Sequence, residues 1–204
     1  MAYLIYGFQT DIREYVMRDI WGWLLGIVLL HLLAGNFIAR RQVRNEYMRL
    51  IRLEFFHKWW HRLCMRVLCL CLVLTAVVFF VSLLVRTAGW GMDLKTALGE
   101  APLPAFFLFL LNFCFLSTFQ MLLINLEQGE KLSFLLMAAV EVISLYGGLI
   151  CGEGGFWMPG SWKMYCRSSL FIQAGYPVIV TSVIQILWIA ACCRIGYKWL
   201  DRRR

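Results

Sequence analysis

Five long apolar runs constrain this sequence more than any other feature. Each is close to the roughly 20 residues that an α-helix needs to cross the hydrocarbon core of a bilayer. Hydrophobic residues make up 61% of the 204 positions, which excludes a soluble globular domain. We therefore predict an all-α, polytopic membrane protein whose membrane domain covers residues 20–204. The predicted spans are Ile20–Ile38, Val67–Val85, Leu103–Leu126, Leu132–Ile150 and Tyr176–Cys193.

The distribution of charge predicts how these spans are oriented. Residues 40–66, between the first two runs, hold eight Lys and Arg against Glu46 and Glu54. Short loops rich in Lys and Arg stay in the cytoplasm, and the C-terminal tail is also basic. The nearly neutral loops 87–102 and 152–175 would then lie outside. An odd number of spans places the two ends of the chain on opposite sides of the membrane. We therefore predict a multi-pass protein of the cell membrane, with its N-terminus outside and its C-terminus in the cytoplasm.

The N-terminal residues 1–19 are too short and too charged to cross a bilayer. They also lack the basic region, apolar core and small-residue cleavage site of a signal peptide. We interpret them as an interfacial segment.

The basic stretch 40–66 is patterned as an amphipathic helix. Its apolar residues recur at steps of three and four, while most of its basic residues lie elsewhere around the helix. Such a helix can lie on the anionic inner leaflet, where its charges only set topology, or it can dock a cytoplasmic partner. The pattern leaves both interpretations open.

The outer segment 151–175 is unusual because it combines many aromatic residues with glycines and Pro159. Aromatic residues at this density are typical of a membrane interface, and glycine and proline interrupt a continuous helix. We predict a short helix that dips into the outer leaflet and returns, although an aromatic belt on an ordinary loop also fits. Its candidate residues are Trp157, Pro159, Trp162 and Arg167.

Two motifs resemble a known family. The stretches YMRLIRLEFFHKWWHR and MPGSWKMYCRSS are similar to sequences in small ABC-2-type permease subunits of bacteriocin- and lantibiotic-associated exporters. The resemblance implies that residues 40–66 hold a coupling helix for a separate cytoplasmic ABC ATPase, and that residues 151–175 are re-entrant. It also implies a second permease subunit and contact with membrane lipid. The family's first span has no counterpart here. The implied coupling residues are Arg49, Arg52, Phe55, Phe56, Trp59 and Trp60.

One acidic residue, Glu141, lies well inside a predicted span. An ionisable group at that depth is costly and commonly faces a protein interior or a transport path. Asn112 and Gln120 of the third span, together with Asn125, are its expected partners. Glu141, Asn112 and Gln120 are therefore the candidate transport-path residues, with a structural hydrogen-bonded contact as the alternative.

Other chemistry has weaker support in the sequence. Cys151 and Cys166 share the outer segment and could form a disulfide, whereas His57 and His61 lack further ligands for a metal. His31, alone in the first span, is expected to satisfy a neighbouring group. There is no phosphate-binding loop, and the basic charge reports topology rather than nucleic-acid binding. No cofactor is expected.

The sequence is compatible with three functions. The first is a non-enzymatic permease subunit that exports a hydrophobic or cationic peptide, or a lipid, with energy from a partner ATPase. The second is a membrane accessory or assembly subunit that transports nothing. The third is an integral membrane peptidase, which would need His61 and Cys64 to act together.

Overall fold

A computed structural model describes residues 17–41, 56–89, 91, 102–125 and 129–202. Within these ranges the chain is almost entirely helical and forms no strand, apart from an isolated bridge between Ser168 and Tyr176. This confirms the all-α prediction. The five long helices are α1 (Met17–Arg41), α2 (Phe56–Leu84), α3 (Pro102–Asn125), α4 (Gly129–Cys151) and α5 (Val178–Arg202).

Helices α1, α3 and α5, and α2 together with the π-helical turn Val85–Gly89 that continues it, each contain a stretch that is long and apolar enough to cross a membrane. The stretches are Trp21–Arg40, Trp59–Ala88, Pro102–Ile124 and Val178–Lys198. They confirm a multi-pass membrane protein at the level of length and composition. The fourth predicted span, Leu132–Ile150, corresponds to α4, which is not among these four stretches and carries Glu130, Lys131 and Glu141 among its described residues.

Helix α3 is the centre of the bundle. It is apolar on every side, and it packs against α1, α2, α4 and α5. A helix without a polar face is expected in the core of a bundle, because every side of it can be buried. Pro102 and Pro104 stand in its first turn, where the missing N–H groups are not needed for helical hydrogen bonds.

Helix α2 joins part of the basic stretch to the second span without a break. One face is buried at steps of three and four residues, at Trp59, Trp60, Leu63, Cys64, Val67 and Cys71. The second part of the predicted amphipathic helix is therefore the start of a bundle helix. Residues 42–55, with Arg49, Arg52 and Phe55, lie outside the described residues, as does the side chain of Phe56.

The ends of the helices meet as the predicted topology requires. Near the start of α2, the indole N–H of Trp60 donates to the carbonyl of Cys193, near the end of α5, at 2.7 Å. Asn36, near the end of α1, shares a pocket with Glu130 at the start of α4. Both pairs join ends that the charge pattern assigns to the same side. Which side faces the cytoplasm stays a prediction.

Between α4 and α5 the chain forms three short 3₁₀ helices: Gly152–Trp157, Pro159–Lys163 and Tyr165–Arg167. We call residues 152–167 the 3₁₀ segment. It packs against α3 and α4, and most of residues 160–168 are buried. The segment is therefore integrated into the bundle and is not an ordinary surface loop. Whether it enters the outer leaflet stays a prediction.

Candidate functional site

A buried acid, Glu141, binds two basic side chains from distant parts of the chain. Its Oε1 lies 3.1 Å from Nε2 of His31 on α1, and its Oε2 pairs with Nζ of Lys163 in the 3₁₀ segment. The exposed fractions of His31, Glu141 and Lys163 are 1%, 0% and 3%. These three residues, which we call the acid–base cluster, join α1, α4 and the 3₁₀ segment.

The arrangement of the cluster offsets the cost of burying its charges. A buried carboxylate or ammonium loses its hydration, and only a close opposite charge with further hydrogen bonds restores most of that free energy. Lys163 gains a second favourable contact, because its Nζ lies 5.1 Å from the centroid of the Trp23 ring. An ionised Glu141 accepts a hydrogen bond from the Nε2–H of His31. That tautomer leaves Nδ1, which is buried and has no partner within the described residues, as an acceptor.

A second polar layer lies next to the cluster and is organised by Arg167. This residue is fully buried, and its Nη1 donates to the carbonyl of Ser144 and to Oγ of Ser161, both at 2.9 Å. Its Nη2 donates to the carbonyl of Leu145 at 3.2 Å. The last turns of α4 thus receive donors from the 3₁₀ segment. A rigid, planar guanidinium suits this role because it reaches several acceptors at once.

Gly160 allows the 3₁₀ segment to approach α4 closely. Its backbone N–H donates to Oγ of Ser144 at 3.0 Å. A Cβ at this position would lie 2.7 Å from Ser144 Oγ and 2.9 Å from Glu141 Oε2, which is closer than real Cβ contacts. Only glycine fits this contact without a shift in one of the two elements.

The 3₁₀ segment is also held by α3 and by the chain that leads into α5. Asn112 on α3 donates from Nδ2 to the carbonyl of Pro159 at 2.7 Å. The hydroxyl of Tyr176 donates to the carbonyl of Trp162 at 2.7 Å, and the Trp162 ring lies 6.0 Å from that of Phe115. Together with α4, helix α3 and the chain before α5 therefore position Lys163 for its contact with Glu141.

The structure separates the three residues predicted to form a transport path. Glu141 is buried as expected, but its partners are His31 and Lys163. The expectation that Asn112 and Gln120 of the third span are its partners is wrong. Asn112 binds the 3₁₀ segment, and Gln120 lines a pocket near the other end of α3. The Asn125 side chain lies outside the described residues. The expectation that His31 satisfies a neighbouring group is confirmed.

Sequence reasoning missed Lys163 as a member of the site. We assigned it to a nearly neutral outer loop, where a lysine is ordinarily solvated. Its neighbours, Trp162 and Met164, were a usable signal, because a lysine between two large apolar residues in a glycine-rich segment commonly has a buried stem. The pairing with Glu141 depends on tertiary contact and had no local signature.

The residues predicted for the outer segment divide into exposed and buried ones. Trp157 is 54% exposed and Pro159 is exposed as well, whereas Trp162 and Arg167 are buried. Cys166 is a free thiol in the structure, and the side chain of Cys151, its candidate disulfide partner, lies outside the described residues. Burial raises the pKa of the Cys166 thiol to about 11, although the Arg167 guanidinium acts in the opposite direction.

The aromatic pair predicted to contact an ATPase is buried in the chain's own core. Trp59 and Trp60 are 8% and 4% exposed. A side chain that is already covered by its own bundle has little surface left for a partner, so this packing argues against direct ATPase contact through the two tryptophans. A contact through Arg49, Arg52, Phe55 and Phe56 stays a prediction.

The two residues required by a peptidase lie in different environments. His61 is exposed, whereas Cys64 is buried in the hydrophobic core of the bundle, against which Cys193 packs. Within the described residues, no group of three or more His, Cys, Asp or Glu side chains is placed to hold a metal ion.

Comparison of the chain with protein-family models, with curated proteins and with solved structures found no match. The acid–base cluster and the two sequence motifs are therefore the features of this chain that bear on its function.

Proposed function

We propose that this protein is a permease subunit of an ATP-binding cassette exporter. The observation that carries the proposal is the acid–base cluster, because it connects the 3₁₀ segment to α1 and α4 through a buried ion pair. Ionisable residues inside a membrane are expensive and commonly mark transport pathways or moving parts. The resemblance of the two motifs to small permease subunits supports the same function.

In the proposed mechanism the cluster is a latch on the outer half of the bundle. ATP binding closes the partner ATPases, and the segment that contacts them, within residues 40–56, moves with them. Helix α1 begins before this segment and carries His31, so its displacement changes the geometry at Glu141. Separation of Glu141 from Lys163 then weakens the attachment of the 3₁₀ segment to α4, so that the segment can move and open a path outward. In this mechanism α4 also crosses the membrane, as the fourth of five spans, and the cargo is a hydrophobic or cationic peptide or a lipid.

The test is co-purification of an ATPase with the full-length chain from native membranes in a mild detergent. The variant Phe55→Ala/Phe56→Ala should lose most of the ATPase, since buried aromatic anchors each contribute about 2 kcal/mol or more to an interface. Phe80→Ala is the matched control, because Phe80 lies on the exposed surface of α2. Full retention of the ATPase by the double variant would contradict the proposal that Phe55 and Phe56 contact the ATPase.

The second candidate is a membrane accessory or assembly subunit that does not transport. The burial of Trp59 and Trp60 favours it, because it removes the strongest aromatic anchors from the proposed ATPase contact. A non-transporting subunit would co-purify with a second permease chain but would leave export unchanged when the latch is altered. Export measured in the Lys163→Met variant, with assembly verified, separates the two candidates.

A further inference from the structure

A pocket of about 290 Å³ opens between α1, α3 and α4, near the end of the bundle that is opposite the 3₁₀ segment. Its volume is near the lower limit for small-molecule sites. The lining residues are Leu32, Gly35, Asn36, Gln120, Glu130, Lys131 and Phe134.

Gln120 gives the pocket an unsatisfied polar side chain. The residue is fully buried, and neither Oε1 nor Nε2 has a hydrogen-bond partner within the described part of the chain. A buried amide without partners is costly, so such a group indicates that something else supplies them. Gly35 permits this position of the side chain, because a Cβ at Gly35 would collide with the Gln120 amide.

The rim of the pocket carries one charge of each sign. Glu130 and Lys131 are consecutive residues in the first turn of α4, and both are exposed. Within the described residues neither is engaged in an ion pair. The helix N-terminus itself favours an anion beside Lys131, while Glu130 favours a cation. A ligand with an ammonium and an anionic group would satisfy both charges and the Gln120 amide together.

The surface next to the pocket is apolar. Leu29 and Leu33 of α1 are exposed, as are Leu132 and Leu135 of α4. These residues offer a surface for hydrocarbon chains beside a polar pocket at one end of helices that are long enough to cross a membrane. This combination favours a lipid over a free zwitterion of the same charge.

We infer that this pocket binds the headgroup of a zwitterionic phospholipid that has a primary ammonium, such as phosphatidylethanolamine. The ammonium contacts Glu130 and donates to Oε1 of Gln120, and the phosphate contacts Lys131 and accepts from Nε2 of Gln120. The acyl chains lie along the exposed leucines. A choline headgroup has no N–H to donate, so it fits this pocket less well. The inference concerns a binding site and does not depend on whether the protein exports a cargo.

The test is native mass spectrometry of the full-length chain in a maltoside detergent, titrated with phosphatidylethanolamine or with phosphatidylcholine of identical chains. We expect the wild type to prefer the ethanolamine lipid by about tenfold, the effect of one or two hydrogen bonds. Gln120→Leu should abolish this preference. Gln185→Leu is the matched control, because Gln185 is equally buried and unpartnered but lies on α5, outside the pocket.

A second variant covers the case in which Gln120→Leu does not fold. Glu130 is exposed, so Glu130→Gln should fold normally and still lose most of the preference for ethanolamine. Equal binding of the two lipids by the wild type, or an unchanged preference in Glu130→Gln, would overturn the inference. Competition by free glycerophosphoethanolamine at the same concentration as the lipid would overturn the lipid assignment and make the soluble zwitterion the ligand.

Discussion

Nε2 of His31 lies 3.1 Å from Oε1 of Glu141, although 110 positions separate the two residues in the chain. His31 is on α1 and Glu141 on α4, and both are buried. This contact, together with the ion pair between Glu141 and Lys163, makes Glu141 the point at which three parts of the chain meet. The stability of the bundle and its proposed movement therefore depend on the same carboxylate.

Removing one member of the ion pair should destabilise the protein strongly. Lys163→Met leaves the Glu141 carboxylate buried without its cation, and Glu141→Leu leaves the ammonium without its anion. Each change should cost about 3–5 kcal/mol of unfolding free energy. The double variant Glu141→Leu/Lys163→Met should be more stable than either single change, because no charge is left unpaired. Thermal unfolding in detergent measures all of these variants, and additive effects of the two single changes would contradict the pairing.

Gly160→Ala should loosen the 3₁₀ segment. The added Cβ would press on Ser144 and Glu141, and overpacking of this kind costs about 1–3 kcal/mol. Gly22→Ala is the control, since a Cβ at Gly22 meets nothing within 4 Å. We expect a lower melting temperature for the first variant and no loss for the second. Equal melting temperatures would show that the segment is not held against α4.

Trp60 should matter for folding more than for partner binding. Trp60→Phe removes the indole hydrogen bond to the Cys193 carbonyl and should cost about 1 kcal/mol, while Trp60→Ala should cost about 3–5 kcal/mol. Trp157→Ala, at an exposed position, should have little effect. If Trp60→Ala were fully stable but lost a co-purifying ATPase, Trp60 would contact the ATPase and this prediction would be contradicted.

Topology can be mapped with single cysteine substitutions and a membrane-impermeant maleimide, with the modified position identified by peptide mapping. Ser169→Cys is the probe for the loop after the 3₁₀ segment, because Ser169 is exposed whereas Lys163 is buried. We expect labelling from outside at Ser169→Cys, and at Lys131→Cys only after the cells are permeabilised. Labelling of both from the same side would show that α4 does not cross the membrane. Arg49 and Arg203 should map inside, and Lys95 outside.

The native Cys166 should react slowly with maleimide at neutral pH. Only the thiolate is nucleophilic, and burial raises the Cys166 pKa to about 11, so little thiolate is present near pH 7. Its rate should rise about tenfold per pH unit as the pH approaches that value. An exposed Ser169→Cys thiol should reach its plateau at lower pH. Complete protection that is reversed by a reductant would instead indicate a disulfide with Cys151.

The sequence alone determined the properties that depend on summed composition and on local pattern. Helices long enough to span a bilayer follow from runs such as 103–126, because every backbone polar group is satisfied within the helix. The sequence also identified Glu141 as a candidate site residue, because it is one acidic residue inside a long apolar run.

The tertiary structure decided which residues meet. The sequence predicts a solvated loop position for Lys163 and an exposed aromatic anchor at Trp59 and Trp60. Both predictions depend only on neighbouring residues in the chain. In the structure the 3₁₀ segment packs against α4 and buries Lys163, and α2 packs against α5 and buries Trp60, so both predictions are wrong. Contacts between residues that are more than 20 positions apart depend on how whole helices pack, and the periodicity of one helix reports which face is buried but not which partner covers it.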